Sequence, residues 1–266
     1  NPSDAAALTK LLGLYAKHAS AQKLVDEYVR KQQKAKSPPD KYAYAMILGH
    51  LYRQRSDLDT ALSYYQAAAE SSAQPDAHIA AAEILRRQSK TQAASEALER
   101  ALKASSQKGT KIALLKELAD LALADGNIDK ARDAYRRYLA LDPKSIDARL
   151  DLADALARHN RSQEALEEYR RALVSLKSDP ARKVVVLAHL GRQEEALGQT
   201  DQAVKSYREA MDLTQKGHYL RRELTERIIE IYRARQDIHT LITYYENAWP
   251  TASRGRSPRS RARARA

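Results

Sequence analysis

A pattern of small and aromatic residues returns along this chain at intervals of 33 to 38 residues, and it leaves few folds open. In one copy Leu48 and Gly49 are followed by Tyr52, Ala61, Tyr65 and Ala68. Another has Ala119, Gly126, Ala131, Tyr135 and Pro143, and a third has Leu190, Gly191, Gly198, Ala203, Tyr207 and Ala210. One small residue marks the phase at Ala61, Ala94, Ala131, Ala165 and Ala203, with Leu24 and Leu241 in the same slot at the two ends. The successive spacings are 37, 33, 37, 34, 38 and 38. Self-similarity at a period of this size is the signature of a solenoid, in which each unit buries its apolar face only against its neighbours.

The residue types in each slot dictate a helical hairpin. Ala at the start of a second helix lets two helix backbones approach closely, because only a methyl separates them. Tyr65, Tyr135, Tyr169, Tyr207 and Tyr245 come four residues later on the same helical face. They supply a large apolar ring and a hydroxyl that can reach a polar edge. Gly126 and Gly198 stand where the first helix ends and the chain must turn, since Gly enters the left-handed region at little cost. Pro143 follows a second helix that it cannot continue. Asp57, Asn127 and Asp201 are expected to cap the helices after the turns. No sustained alternation of β-branched residues argues for strands. The longer spacings put extra residues at Ser105–Thr110 and Lys177–Lys183, expected as longer connections.

This pattern resembles that of the tetratricopeptide repeat family over nearly everything from residue 5 to residue 250. The match is strongest around Tyr42–Ala73, Ile112–Pro143 and Val184–Gln215; in the third repeat Leu98 takes the second Tyr slot. The resemblance implies an all-α, right-handed superhelical solenoid of about seven helix–turn–helix hairpins, near 5–38, 42–73, 75–106, 112–143, 146–177, 184–215 and 222–250. Residues 251–266 are left as a separate arginine-rich tail. It further implies that first helices line a concave groove that binds a protein or peptide partner. By position that groove takes Ala43, Met46, Ile47, His50 and Arg53, then Ile79, Glu83 and Arg86, then Lys116, Glu117 and Asp120. It continues with Asp147, Leu150, Asp151 and Asp154, then His189 and Arg192, and ends at Glu226, Arg227 and Glu230. Its middle is acid-rich, which fits a basic partner segment; its start is more apolar. The family's carboxylate clamp uses basic and Asn side chains on successive first helices. Here Lys116 is followed by Asp120, Asp147 and Asp151, the wrong sign for a carboxylate ligand.

Chemistry of other kinds is not encoded. The chain has no Cys, which removes disulfides, thiolate metal sites and cysteine nucleophiles. His18, His50, His78, His159, His189, His218 and His239 never fall three or four residues apart, so no two imidazoles share a helix face as a metal pair would. No glycine-rich phosphate loop is present. The chain is therefore read as non-enzymatic, with no cofactor and no metal. No stretch approaches the roughly 18 consecutive apolar residues of a spanning helix.

The net charge is +12, and Arg254, Arg256, Arg259, Arg261, Arg263 and Arg265 supply half of it with no acid among them. Such a tail can touch phosphates or an anionic surface without reading bases. Nucleic acid is disfavoured as the main partner, because elsewhere basic and acidic residues are interspersed and the tyrosines are placed by packing. The alternative reading is an adaptor of a bacterial cell-envelope, secretion or motility complex, self-associating through the ends of the array. Ala- and Arg-rich usage without Cys suggests a bacterial source. Localisation stays open between cytoplasm and bacterial periplasm.

Overall fold

The structure is a computed structural model, and it describes residues 21–176, 179–215 and 218–248. The arginine-rich tail and the first helix expected before residue 21 lie outside the described residues. Thirteen α-helices and no strand occur among the described residues. They are α1 (Ala21–Lys34), α2 (Pro38–Gln54), α3 (Leu58–Ser71), α4 (Pro75–Arg87), α5 (Thr91–Ala104), α6 (Lys108–Ala124) and α7 (Ile128–Leu141). Then come α8 (Ile146–Arg158), α9 (Ser162–Ser175), α10 (Pro180–Ala196), α11 (Thr200–Asp212), α12 (Tyr219–Ala234) and α13 (Ile238–Ala248). The chain divides into two compact units, Asn1–Pro143 and Lys144–Ala266. In each unit a first helix packs on the second helix of its own hairpin, and that second helix packs on the first helix of the next.

Every described hairpin turn uses the same backbone device. One residue between the two helices adopts positive φ: Ser56, Ser89, Gly126, Asn160, Gly198 and Gln236, at φ 57° to 73°. The next amide then reaches back five residues, as Asp57 N does to the Tyr52 carbonyl at 3.0 Å and Asn127 N to the Ala122 carbonyl at 2.8 Å. These bonds satisfy carbonyls that a helix end leaves open. Asp57, Asn127, Ser145 and Asp179 accept from amides of the following first turn. Pro38, Pro75 and Pro180 open first helices, where a missing amide costs nothing. Asp201 is not a cap. It lies inside the first turn of α11 and accepts from Arg235 at 2.7 Å.

The elastic period has a physical origin different from the one expected. The extra residues do not lengthen connections: Lys108 already begins α6 and Pro180 begins α10. First helices are 17 residues long in α2, α6 and α10 but 13 in α4 and α8. The difference of four residues is about one helical turn. The first five spacings therefore record long and short first helices in alternation, and the sixth, 38, departs from it with the 16-residue α12.

The cores follow the slots. Ala61, Ala94, Ala131, Ala165 and Ala203 are buried, as are Tyr65, Tyr135, Tyr169 and Tyr207. In the first unit Tyr42, Ala45 and Met46 of α2, Ala61, Tyr65 and Ala68 of α3, and Ala77 and Ile84 of α4 form one cluster. A hairpin and the next first helix thus share one core, which is why no hairpin buries its apolar surface alone.

Candidate functional site

In the first unit the polar face of the first helices begins at His50. The hydroxyl of Tyr65 and Nδ1 of His50 are 2.7 Å apart and share a hydrogen bond. Burial, reinforced by the charge of Arg53, pushes the His50 imidazole down to about 4, against smaller pulls from Glu83 and Asp76. Its Nε2 is buried with no hydrogen-bond partner among the described residues. One turn on, Arg53 donates to Glu83 of α4 at 2.6 Å, and Arg87 donates to the other oxygen of Glu83 at 2.8 Å. Glu117 on α6 is raised by burial; Arg86 opposes that shift, while Glu83 and Asp120 add to it. Arg86, Lys116 and Asp120 are exposed.

The apolar start of the expected groove is not a surface. Met46 is 1% exposed and belongs to the core shared by α2, α3 and α4. Ile47 packs with Leu24, Val25, Leu48 and Leu51 beside α1. The reason is angular: a 17-residue first helix between two neighbours buries most of its circumference, and its polar residues mark the strip left over. Ala43 and Ile79 are part-buried.

In the second unit the same face is built by α8, α10 and α12. Asp147 of α8 accepts from Arg182 of α10. Asp154 Oδ1 accepts from the Tyr169 hydroxyl and, at 3.1 Å, from His189 Nδ1. Burial alone would raise the Asp154 carboxyl, but the hydrogen bonds from His189 and Tyr169 outweigh it and hold it low. Arg192 donates to Glu223 of α12 at 2.6 Å, and Arg227 of α12 pairs back with Glu195 of α10 at 3.5 Å. The Tyr207 hydroxyl donates to Glu195 at 2.9 Å. Glu226 pairs with Arg222, and Glu230 with Arg227. Leu150 and Asp151 are part-buried on α8.

Ion pairs join residues of successive first helices within each unit, so the acids are not an open cluster. Asp147, Asp154 and Glu83 each face a base on the neighbouring first helix. Sequence reasoning missed Arg182, Val185, Glu195 and Glu223. Counting back from Arg192 by helical steps gives His189, Val185 and Arg182, so the stripe on α10 could have been extended by spacing alone. The carboxylate, imidazole and hydroxyl at Asp154, His189 and Tyr169 tie α8, α9 and α10 together. Burial and the neighbouring carboxylate push the Tyr169 phenol up, which opposes its use as a nucleophile. Among the described residues no group of three or more metal-ligating side chains could hold an ion, and no helix is long and apolar enough to cross a membrane.

The tetratricopeptide repeat family profile matches residues 16–78 and 116–182. No curated protein matches the chain. Among solved structures, the C-terminal part of a TPR repeat-containing protein from Cytophaga hutchinsonii is 14% identical, with 91% of this chain and 95% of that chain covered and a TM-score of 0.58. MamA is 18% identical over 66% of this chain and 92% of its own, with a TM-score of 0.49. YrrB, described as a TPR protein with an unusual peptide-binding site, is 18% identical over 74% and 96%, with a TM-score of 0.48. With six described hairpins closed by one turn geometry and packed through Ala and Tyr slots, the chain belongs to the tetratricopeptide repeat family.

Proposed function

We propose that this chain is a non-enzymatic scaffold whose second unit binds an extended, basic segment of a partner protein along the face shared by α8, α10 and α12. Tetratricopeptide repeat arrays serve as protein–protein interaction scaffolds in general. One observation carries the finer reading. Val185 is 51% exposed in the stripe Arg182–Val185–His189–Arg192, and Asp147, which accepts from Arg182 of that stripe, keeps 74% of its side chain in solvent. An exposed apolar side chain one turn from a base held by an accessible carboxylate suits a segment that alternates apolar and basic residues.

The pairing of the acids does not oppose this. An exposed ion pair is worth only about 0–1 kcal/mol, so a partner's Lys or Arg can replace Arg182 at Asp147 with little loss. Charge then sets register and association rate more than affinity.

The test uses the full chain and a short fluorescent peptide alternating Lys and Leu, followed by anisotropy at low salt. Asp147→Lys with Asp151→Lys should weaken binding more than tenfold, and the effect should shrink at high salt as screening grows. Val185→Asp should weaken it at both salt concentrations. Absent binding, or an affinity indifferent to these substitutions, would remove the proposal.

A further inference from the structure

The hydrogen bonds at the centre of the second unit decide which nitrogen of His189 carries a proton. Nδ1 lies 3.1 Å from Asp154 Oδ1 and 3.2 Å from the Tyr169 hydroxyl oxygen, and that hydroxyl donates to the same Asp154 oxygen. Against the pull of burial, hydrogen bonds from His189 and Tyr169 hold the Asp154 carboxyl low, so it is ionised near neutral pH. A lone pair on Nδ1 would face that charge, whereas a proton there is shared with it. Neutral His189 is therefore the Nδ1–H tautomer, and Nε2 carries the lone pair. The Tyr169 ring, 1% exposed, stands edge-on to the imidazole with centroids 5.7 Å apart and fixes its plane.

The free nitrogen faces outward. His50 of the first unit also meets a tyrosine hydroxyl through Nδ1, but its Nε2 is buried. His189 keeps 34% of its side chain in solvent, and both of its hydrogen-bond contacts use Nδ1. Among the described residues its Nε2 is neither buried nor bonded. It stands one helical turn from Val185 on one side and from Arg192 on the other. The charges acting on this cluster are Arg158 of α8 and Arg192 of α10, the latter held by Glu223 of α12. Asp151 comes a turn before Asp154 on α8, and Tyr207 of α11 donates to Glu195 instead.

We infer, building on the binding face proposed above, that Nε2 of His189 accepts a hydrogen bond from an N–H of the bound basic segment, and that proton uptake there releases the segment. Protonation turns Nε2 into a donor and adds a positive charge, while the Asp154 contact keeps the ring in place. Both changes oppose a basic ligand. Imidazole is the side chain that ordinarily changes charge between about pH 5 and 8, a range in which lysine stays charged.

The alternating Lys–Leu peptide is titrated against the full chain at constant ionic strength from pH 8 to pH 5.5, with helical circular dichroism recorded at each pH. Its Kd should rise by about tenfold or more for the parent chain, as for one close charge partly screened by water. For His189→Gln, which takes up no proton there, the rise should stay below about threefold. His189→Lys should bind at pH 8 as weakly as the parent chain does at pH 5.5. Long-range proton–nitrogen spectra of the parent chain at pH 8 should show His189 as the Nδ1–H tautomer, and added peptide should move its Nε2 signal. A Kd indifferent to pH, a His189→Gln profile as steep as the parent's, or an Nε2–H tautomer would overturn the inference and leave the face of α8, α10 and α12 standing. No peptide binding at any pH would remove that face, and the role of His189 with it.

Discussion

Gly49 lies so close to the ring of Tyr65 that a Cβ added to the glycine would stand 2.5 Å from Cε1. Gly191 and Tyr207 repeat the relationship at 2.4 Å. Both rings are fully buried, so neither can swing aside, and each glycine is the floor on which a neighbouring helix's ring rests. Gly49→Ala and Gly191→Ala gain up to about 1 kcal/mol of helix propensity, but overpacking at a buried ring costs about 1–3 kcal/mol. Each should lower the urea midpoint. Ala119 with Tyr135 and Ala153 with Tyr169 hold an Ala in the same slot with the ring still buried, so the loss should sit at the low end of that range, and adding Tyr207→Leu to Gly191→Ala, the pairing of Ala82 with Leu98, should recover part of it. A stability unchanged by either single substitution would contradict the packing described.

The turns make a second prediction. Ser56, Ser89 and Gln236 hold the left-handed conformation that Gly126 and Gly198 hold in other hairpins. A non-glycine residue pays about 1–2 kcal/mol for that conformation, while Gly loses more backbone entropy on folding. Each substitution to Gly at Ser56, Ser89 or Gln236 should therefore stabilise by about 0.5–1 kcal/mol, and the melting temperature should rise with each. Gly126→Ala and Gly198→Ala should lower it by a similar amount.

Legibility in the sequence divides along the same line. Ala61, Ala131 and Ala203 and the Tyr residues four positions later announce helix contacts because steric slots accept few residue types. Gly126 and Gly198 announce turns for the same reason. Ser56 and Gln236 occupy the same backbone geometry but are common in any context, so their turns were readable only through the period. The alternation of 13- and 17-residue first helices was hidden because an added helical turn and an added loop lengthen the spacing equally. The face chemistry was hidden more deeply: Arg53 with Glu83, or Asp154 with His189, are 30 and 35 residues apart, and their complementarity shows only once repeats are laid in structural register.

Acid should loosen the first unit through His50. Its folded pKa, about 4, lies below the ordinary 6.5, so between these values the unfolded chain binds more protons. The contribution is complete above about pH 6.5 and is lost progressively as pH falls toward 4, reaching up to about 3 kcal/mol. His78 is shifted in the same direction by burial and by Arg100, and it adds to the slope. His50→Gln keeps a group able to meet the Tyr65 hydroxyl but cannot take up a proton there. Urea unfolding at pH 7, 6, 5 and 4 should show a flatter decline for His50→Gln than for the parent chain. An identical decline would mean that His50 is not held neutral.

The buried carboxylate of Glu194 separates two kinds of cost. Only 3% exposed, it accepts from Ser206 of the same hairpin at 2.6 Å and from Arg170 of the preceding one at 3.1 Å. Removing one partner of a buried pair is usually severe because a charge is stranded. Here Arg170 keeps half of its side chain in solvent and can rehydrate, so the stranded group is the Ser206 hydroxyl. Glu194→Leu should therefore cost about 1–3 kcal/mol, the range for one buried unsatisfied polar group, rather than the larger loss of a stranded ion. Glu194→Leu with Ser206→Ala should be more stable than Glu194→Leu alone, because the orphaned hydroxyl is gone. Arg170→Ala should cost more than Glu194→Leu, about 3–5 kcal/mol, because it strands the buried carboxylate of Glu194 with the Ser206 hydroxyl. A double-mutant cycle by urea denaturation measures all three terms, and a Glu194→Leu loss that Ser206→Ala does not relieve would place the cost on Arg170 instead.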